Sequence, residues 1–511
     1  MKSNSIYQVF IWALAALAIV ISGCGETGGT SLTSSKPAGG GSSCSQEHSI
    51  TYDANGATGG TAPTDANTYA SGSAVTMPTV GSLAKTYHSF LGWNTAADGT
   101  GTNYAASASL TMPCANVTLF ANWDINSFYV ATTGNDTTGD GSAANPYQTV
   151  AKGLASAAAS ATKRAVRVAA GTYSQTAQLS LGNNNIQLLG GYDSNWNRDI
   201  AANETILTYS SASCVSGAIR VSGLTGTQLI EGITLTTPSS SGCIGIYLSA
   251  SPNTSIRRNK IIIDANNGTS KGIRVVREFT GTISGNFINL AINTGRYVDG
   301  ITFEEITSTS EGKIENNVIN VAVNPYNDNP SAIKIADPSA SPGKLLIRNN
   351  TFILGTYQSS AAVRGSGGSS GAVDLSFDNN IAFLGKSASN MVYGIYSDAN
   401  VTLTLQSFKN NNLFLLSKVF NDLSTSESYT TVADLETAHP TEASGNISVE
   451  MKAAGYFTDP ANGDWRLSGT APTSISEGGL DGSALSWGFS TNLLGITRTG
   501  NGITGWSMGA Y

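Results

Sequence analysis

A chain of 511 residues with 57 glycines, 12% charged residues and a net charge of −7 is long enough for several domains and too acidic to coat nucleic acid. The composition suits an extracellular all-β protein. Histidine is nearly absent, with only His48, His88 and His439.

Lys2 precedes a wholly apolar run from Val9 to Ile21, which ends in Ile21-Ser22-Gly23-Cys24. A positive start, a short apolar stretch and small residues before a cut are what export requires, and the run is short of the ~20 residues that span a bilayer. The block resembles the bacterial lipoprotein class. That resemblance implies a signal peptide over 1–24, acylation of Cys24, attachment to a membrane through the lipid alone, and a place in the bacterial cell envelope, at the outer membrane or cell surface. Residues 25–48 are rich in Gly, Ser and Thr without apolar period, and read as a tether.

Residues 49–124 carry short alternating strands broken by Asn55-Gly56 and Asp98-Gly99 turns, with Phe90-Leu91-Gly92-Trp93-Asn94-Thr95 in the middle and Val117 to Trp123 at the end. The string resembles the internalin-type B repeat, or Listeria-Bacteroides repeat, a small β-grasp-like module of bacterial surface proteins. The resemblance implies a spacer or adhesion module. Trp93 and Trp123 are expected in its core rather than as ligand platforms. Beyond Cys24 four cysteines remain, and three pairings are open in an oxidising compartment. Cys44 with Cys114 brackets the small domain, and Cys214 with Cys243 lies close to one repeat apart, so these two pairs are favoured.

Residues 127–456 repeat every 27 to 33 positions. One motif, apolar-x-x-Asn-x-apolar, centres on Asn259, Asn286, Asn317 and Asn350, then more loosely on Asn380 and Asn411. A second, a small residue before Ile or Val, recurs in step at Ile219, Ile246, Ile273, Ile301, Ile333, Val363 and Ile395. Two motifs in one phase predict a solenoid of parallel β-coils, with the Ile column as core and the Asn column as an internal hydrogen-bonded ladder at a turn. Pro146, Val150, Leu154 and Ala157 predict a short helix plugging the open N-terminal end. Asp136 and Asp140 among glycines read as turn residues. The stretch through Leu188-Leu189-Gly190-Gly191-Tyr192-Asp193, together with a closing segment over 457–511, is similar to the pectate-lyase-like superfamily, especially bacterial surface members of unassigned function. The fold class is therefore all-β, a right-handed parallel β-helix behind a small N-terminal repeat domain. The resemblance is specific for fold; lyases, hydrolases, epimerases and inert adhesins share it.

Strand alternation turns the residue after each inward Ile or Val outward. Arg220, Tyr247, Arg274, Thr302, Lys334, Arg364 and Tyr396 then form a cationic and aromatic stripe suited to an acidic glycan, since Arg pairs with carboxylates and Tyr stacks on sugar rings. The plain alternative is a solvated face whose side chains cover the sheet. Three residues further along lie Arg277, Glu305 and Asp337, one per coil. If the strand has ended there, Arg277, Glu305 and Asp337 are candidate catalytic residues beside Arg274 and Lys334, with Glu305 and Asp337 in general acid and base roles or holding calcium, and equally candidates for a structural ion-pair ladder. Three readings remain: a monomeric, non-catalytic envelope lipoprotein that binds a polysaccharide or other surface ligand; a polysaccharide lyase or glycoside hydrolase; and a rigid spacer. No cofactor beyond that calcium is expected, and no nucleic acid.

Overall fold

Repeats of about thirty residues without helical period force the chain to stack strand on strand, and the computed structural model has that architecture. It describes Cys44 and residues 46–448 apart from 210–213, 215, 238–241, 264–268, 291–296, 322–328, 356–358, 385–390 and 415, together with 457–459 and 464–467. The signal segment with Cys24, almost all of the tether and most of the closing segment lie outside the described residues.

The small domain is a five-stranded mixed sheet. His48–Asp53 runs parallel to Val117–Ile125, which pairs antiparallel with His88–Asn94, and Thr68–Tyr69 and Asn103–Tyr104 form the edges. Ala74–Thr76 and Ser109–Thr111 make a separate antiparallel pair. Trp93 is fully buried, donates its indole N–H to the Pro78 carbonyl at 2.9 Å and meets the Tyr52 ring edge-on at 4.7 Å, as its core reading requires. Gly92 has φ +134°, and a Cβ there would lie 2.3 Å from the Tyr104 carbonyl oxygen, which accounts for glycine between Leu91 and Trp93. Cys44 and Cys114 are disulfide-bonded with Cα atoms 5.7 Å apart. Among its described residues this domain has no helix.

From Ser127 the chain winds through three parallel sheets. The first runs from Leu179–Leu181 through Ile244–Ser249, Thr269–Val276, Tyr297–Glu304, Ser331–Ala336 and Ser360–Ser366 to Lys418–Asp422, closed by the antiparallel strand Glu427–Tyr429. The second runs from Ser127–Val130 to Ala443–Ser444, and the third from Gly171–Gln175 to Asn412–Phe414. Inward residues such as Ile273, Ile301, Ile333 and Val363 stack in direct register and are fully buried. Each contributes ~1.5 to 3 kcal/mol on burial, so this column holds the coils together. Cys214 and Cys243 are disulfide-bonded within the same core, Cα atoms 5.0 Å apart.

The corner between second and third sheets explains the Asn motif. One residue there adopts left-handed backbone, for example Arg258 at φ 49°, Asn316 at 56°, Asn349 at 53°, Asn379 at 56° and Asn410 at 53°. Asparagine tolerates that conformation better than most side chains. The next residue, an Asn, turns inward. Asn317 Oδ1 accepts from the backbone N–H and side-chain amide of Asn286, and Asn317 Nδ2 donates to the Ile283 carbonyl and to Asn350 Oδ1, all within 3.0 Å. The pattern continues through Asn350, Asn380 and Asn411 to Asn446, a further rung, where Glu436 Oε1 accepts both the backbone and side-chain N–H groups.

Helices close both ends of the described coils. Helix α1, Val150–Ala159, is N-capped by Thr149 and buries Val150, Leu154 and Ala157 in the core cluster. Asp136 braces it, accepting from the backbone N–H groups of Gln148 and Thr149 and from the Thr149 hydroxyl, so this acid serves a turn. Helix α2, Val432–Ala438, has a Thr431/Asp434 capping box, buries Leu435 and supplies Glu436 to the ladder.

Candidate functional site

The outer face of the first sheet carries a network of cations, aromatic rings and carboxylates. Arg220, Tyr247, Arg274, Thr302, Lys334, Arg364 and Tyr396 occupy one cross-coil column, as alternation dictates. Their surroundings correct the picture of a free cationic stripe. Arg364 is only 5% exposed; its Nε donates to Ser331 Oγ, a terminal nitrogen donates to the Ser359 carbonyl, and its guanidinium lies 4.5 Å over the Tyr396 ring. Thr302 is fully buried. The Tyr247 ring lies between the guanidinium groups of Arg220 and Arg274, at 5.3 and 5.1 Å. Burial lowers the pKa of Arg364, with Tyr396 and Asp299 partly opposing it.

Two carboxylates sit among these cations: Glu304, which the sequence offers only as a poor catalytic partner for Glu305 because adjacent strand residues face opposite ways, and Asp299, which the sequence reading did not single out. Glu304 ends its strand pointing outward and takes Lys271 Nζ at 2.6 Å and Arg274 Nη2 at 2.5 Å. Burial pushes the Glu304 carboxyl up, but hydrogen bonds from Arg274 and Lys271 outweigh it and hold it below the usual range. Asp299, on the same strand and only 3% exposed, has Lys334 Nζ no nearer than 4.0 Å. Here burial wins over the charges of Lys334, Lys271 and Arg364, and the Asp299 carboxyl is held above its ordinary value. One strand thus presents two acids whose environments push them in opposite directions. A signal for these residues was present in the chain: Lys271 and Asp299 each directly precede the small residue of the Gly-Ile motif, at Gly272 and Gly300.

Arg277, Glu305 and Asp337 do form a column, each just past its strand in left-handed backbone at φ 75°, 55° and 45°. They do not form the expected catalytic or calcium constellation. Arg277 and Glu305 side chains are 65% and 60% exposed and 3.6 Å apart, and Asp337 Oδ1 already accepts the N–H groups of Gly368 and Ser369. Calcium needs six to eight converging oxygens. Among the described residues no group of three or more His, Cys, Asp or Glu side chains is placed to hold a metal. The column is the ion-pair and turn-bracing alternative.

A cleft of about 640 Å³ lies elsewhere, over the outer face of the third sheet, walled by the segment from Arg198 to Glu204.

Coils, corner ladder and end helices define a parallel β-helix protein preceded by a small β-sheet module. Residues 48–122 are a Listeria-Bacteroides repeat domain, and residues 132–353 match the family described as protein of unknown function DUF1565. A protein of Evansella cellulosilytica that bears the provisional name of a Gly-rich membrane protein is 37% identical over 91 residues, 17% of this chain and 10% of the relative. The chain therefore spans about a tenth of the length of the curated relative it matches. Among solved structures, pectin methylesterase from carrot is similar at 15% identity and TM-score 0.28, covering 55% of this chain and 82% of that one. Pectate lyase Pel9A is similar at 14% identity and TM-score 0.28, covering 76% and 96%. The catalytic domain of a GH87 α-1,3-glucanase has 14% identity and TM-score 0.24, covering 61% and 76%. These similarities carry nothing about substrate or mechanism. Among the described residues no helix is long and apolar enough to cross a membrane.

Proposed function

We propose that the protein is a cell-envelope lipoprotein, tethered through acylated Cys24, that binds a polysaccharide along the outer face of the first sheet without turning it over. The observation that carries the reading is the alternating column in which Tyr247 lies between Arg220 and Arg274, and Tyr396 lies against Arg364. Rings held between or against guanidinium neighbours keep their edges toward a ligand and lose little freedom when a sugar packs against those edges. With Glu304 and Asp299 among the cations, the face is mixed in charge, so hydrogen bonding and edge contact contribute more than net attraction. Affinity electrophoresis of the full-length protein through acidic and neutral polysaccharides tests this. Retardation by at least one polymer, lost in the Tyr247→Ala/Tyr396→Ala double variant, is the expected result; no retardation by any polymer favours the spacer reading. Metabolic fatty-acid labelling tests the anchor, and Cys24→Ala is expected to abolish it.

A second reading, a glycoside hydrolase or polysaccharide lyase, is favoured by one observation: burial holds the Asp299 carboxyl above its ordinary value, while Arg274 and Lys271 on the same face hold the Glu304 carboxyl below its own. Such a pair supplies a proton donor and a base or nucleophile on one face. Product analysis on any retained polymer separates the readings. Turnover that disappears in Asp299→Asn while retardation persists would establish catalysis.

A further inference from the structure

Every later coil turns from the second to the third sheet through a tight corner, but the coil after Gln187–Tyr192 makes an excursion before Thr205–Tyr209 begins. That loop is braced internally: Asp193 accepts from the N–H groups of Asn195 and Asn197, and Asp199 from those of Ala201 and Ala202. It stands as a wall over the neighbouring corners and encloses the 640 Å³ cleft, within the range of small-molecule sites, about 300–1,000 Å³. Two of those corners are Gly232 at φ +74° and Gly285 at φ +63°, and Ile200 from the wall packs over Gly232, where an added Cβ would meet its side chain at 3.0 Å.

The chemistry of the lining is specific in kind. Buried Glu231 fixes two guanidinium groups: Arg198 Nη1 reaches Oε2 at 2.8 Å, while Arg258 reaches Oε1 through Nε and Nη2 at 3.0 and 2.9 Å. Arg258 and Arg198 both line the cleft. Glu204 accepts from the Thr234 hydroxyl at 2.8 Å through Oε1 and lies 3.7 Å from Lys260 Nζ. Phe287, the cross-coil partner of Lys260, presents a half-buried ring from the sheet, and Ile200 faces the cleft from the wall. Three cations, Arg198, Arg258 and Lys260, are matched by Glu231, Glu204 and Asp199, so the cleft has no net charge to favour an anion.

An aromatic ring beside carboxylate acceptors and three cationic donors is a set that reads a pyranose: the ring covers a C–H face, a carboxylate takes hydroxyl protons, and the cations donate to hydroxyl or ring oxygens. The geometry points to a binding site for one neutral hexopyranose unit in this cleft, separate from the first-sheet face and independent of whether that face binds glycan.

Titration of the full-length protein with the methyl glycosides of glucose, galactose and mannose, and with the methyl glycoside of galacturonic acid as its free carboxylate, tests it by saturation-transfer NMR and calorimetry. At least one neutral glycoside is expected to bind saturably, and Phe287→Ala and Glu204→Gln are each expected to weaken it by roughly tenfold or more. Phe287→Leu keeps apolar bulk on the sheet and guards against loss of fold; it should melt like the wild type yet still lose the sugar. Arg274→Gln, on the first sheet, should leave this binding unchanged. Absence of saturable binding by all three neutral glycosides, binding of the galacturonate alone, wild-type affinity in the cleft variants, or loss of affinity in Arg274→Gln would each overturn the assignment.

Discussion

The Asn corner and the first-sheet face are both polar columns that recur once per coil, yet they differ in composition and in what surrounds them. At the corner the same residue returns from Asn259 to Asn446, almost wholly buried, each amide saturated by the rungs above and below. On the face, Arg, Tyr, Thr and Lys alternate, with partners drawn from different columns: Glu304 for Arg274, Asp299 beside Lys334, Ser331 for Arg364. A repeated amide is what a stacked corner demands, because only an identical neighbour offers the complementary donor and acceptor at every step. A varied column is not demanded by stacking, because an outward side chain can find its partner in a neighbouring column instead of in an identical residue one coil away.

The largest expected effect breaks the ladder. In Asn317→Asp a carboxylate oxygen replaces the amide nitrogen that donates to Ile283 and Asn350, setting a buried charge against two acceptors. The loss should be about 3–5 kcal/mol, against ~1 kcal/mol for Ile319→Val on the same coil. Urea denaturation of the full-length protein measures both, and equal small losses would mean the corner is no more demanding than the face.

The next effect concerns Glu315, on the strand end just before the corner, stacked on Arg348 of the following coil. Burial pushes its carboxyl up to about 7, with Arg348 and Lys313 only partly offsetting it. A raised acid contributes fully below its unfolded pKa and loses that contribution as pH rises through the folded value. Stability should therefore fall between about pH 4.5 and pH 7 by roughly 2–4 kcal/mol from this group, and Glu315→Gln should remove that part of the slope. A variant with the wild-type pH profile would show that Glu315 ionises freely.

Smaller effects sharpen the contrast on the face itself, through two adjacent glutamates. Glu304→Gln strips the partner from partly buried Lys271 and Arg274 and should cost about 1–2 kcal/mol. Glu305→Gln breaks only the exposed pair with Arg277 and should cost no more than ~0.5 kcal/mol. Thermal melts of the two variants side by side make the comparison, and equal shifts would place the two carboxylates in like surroundings.

Much of this architecture was legible in the chain. The spacing of Asn259, Asn286, Asn317 and Asn350 announces the coil period, and Ile273, Ile301 and Ile333 announce the inward face, since a stacked solenoid repeats its constraints at a fixed interval. The doublets Asn316-Asn317, Asn349-Asn350, Asn379-Asn380 and Asn410-Asn411 carried more than was read from them: the first Asn serves the left-handed corner and the second the ladder. The rung at Asn446 was hidden because helix α2 lengthens its coil.

By itself, then, the sequence determined the period, the core column, the capping helix over Val150, Leu154 and Ala157, and the cross-coil register that aligns Arg220 through Tyr396, because these follow from chain-local alternation repeated in phase. Only the tertiary structure decided which of the aligned charges are free. Whether Arg364 meets solvent, whether the Asp299 carboxyl is pushed up and the Glu304 carboxyl down, and whether Arg198, Glu204 and Phe287 share a cleft depend on neighbours one or more coils away. Burial and Coulomb interactions act through those few ångströms of space, and along the chain they leave no periodic trace.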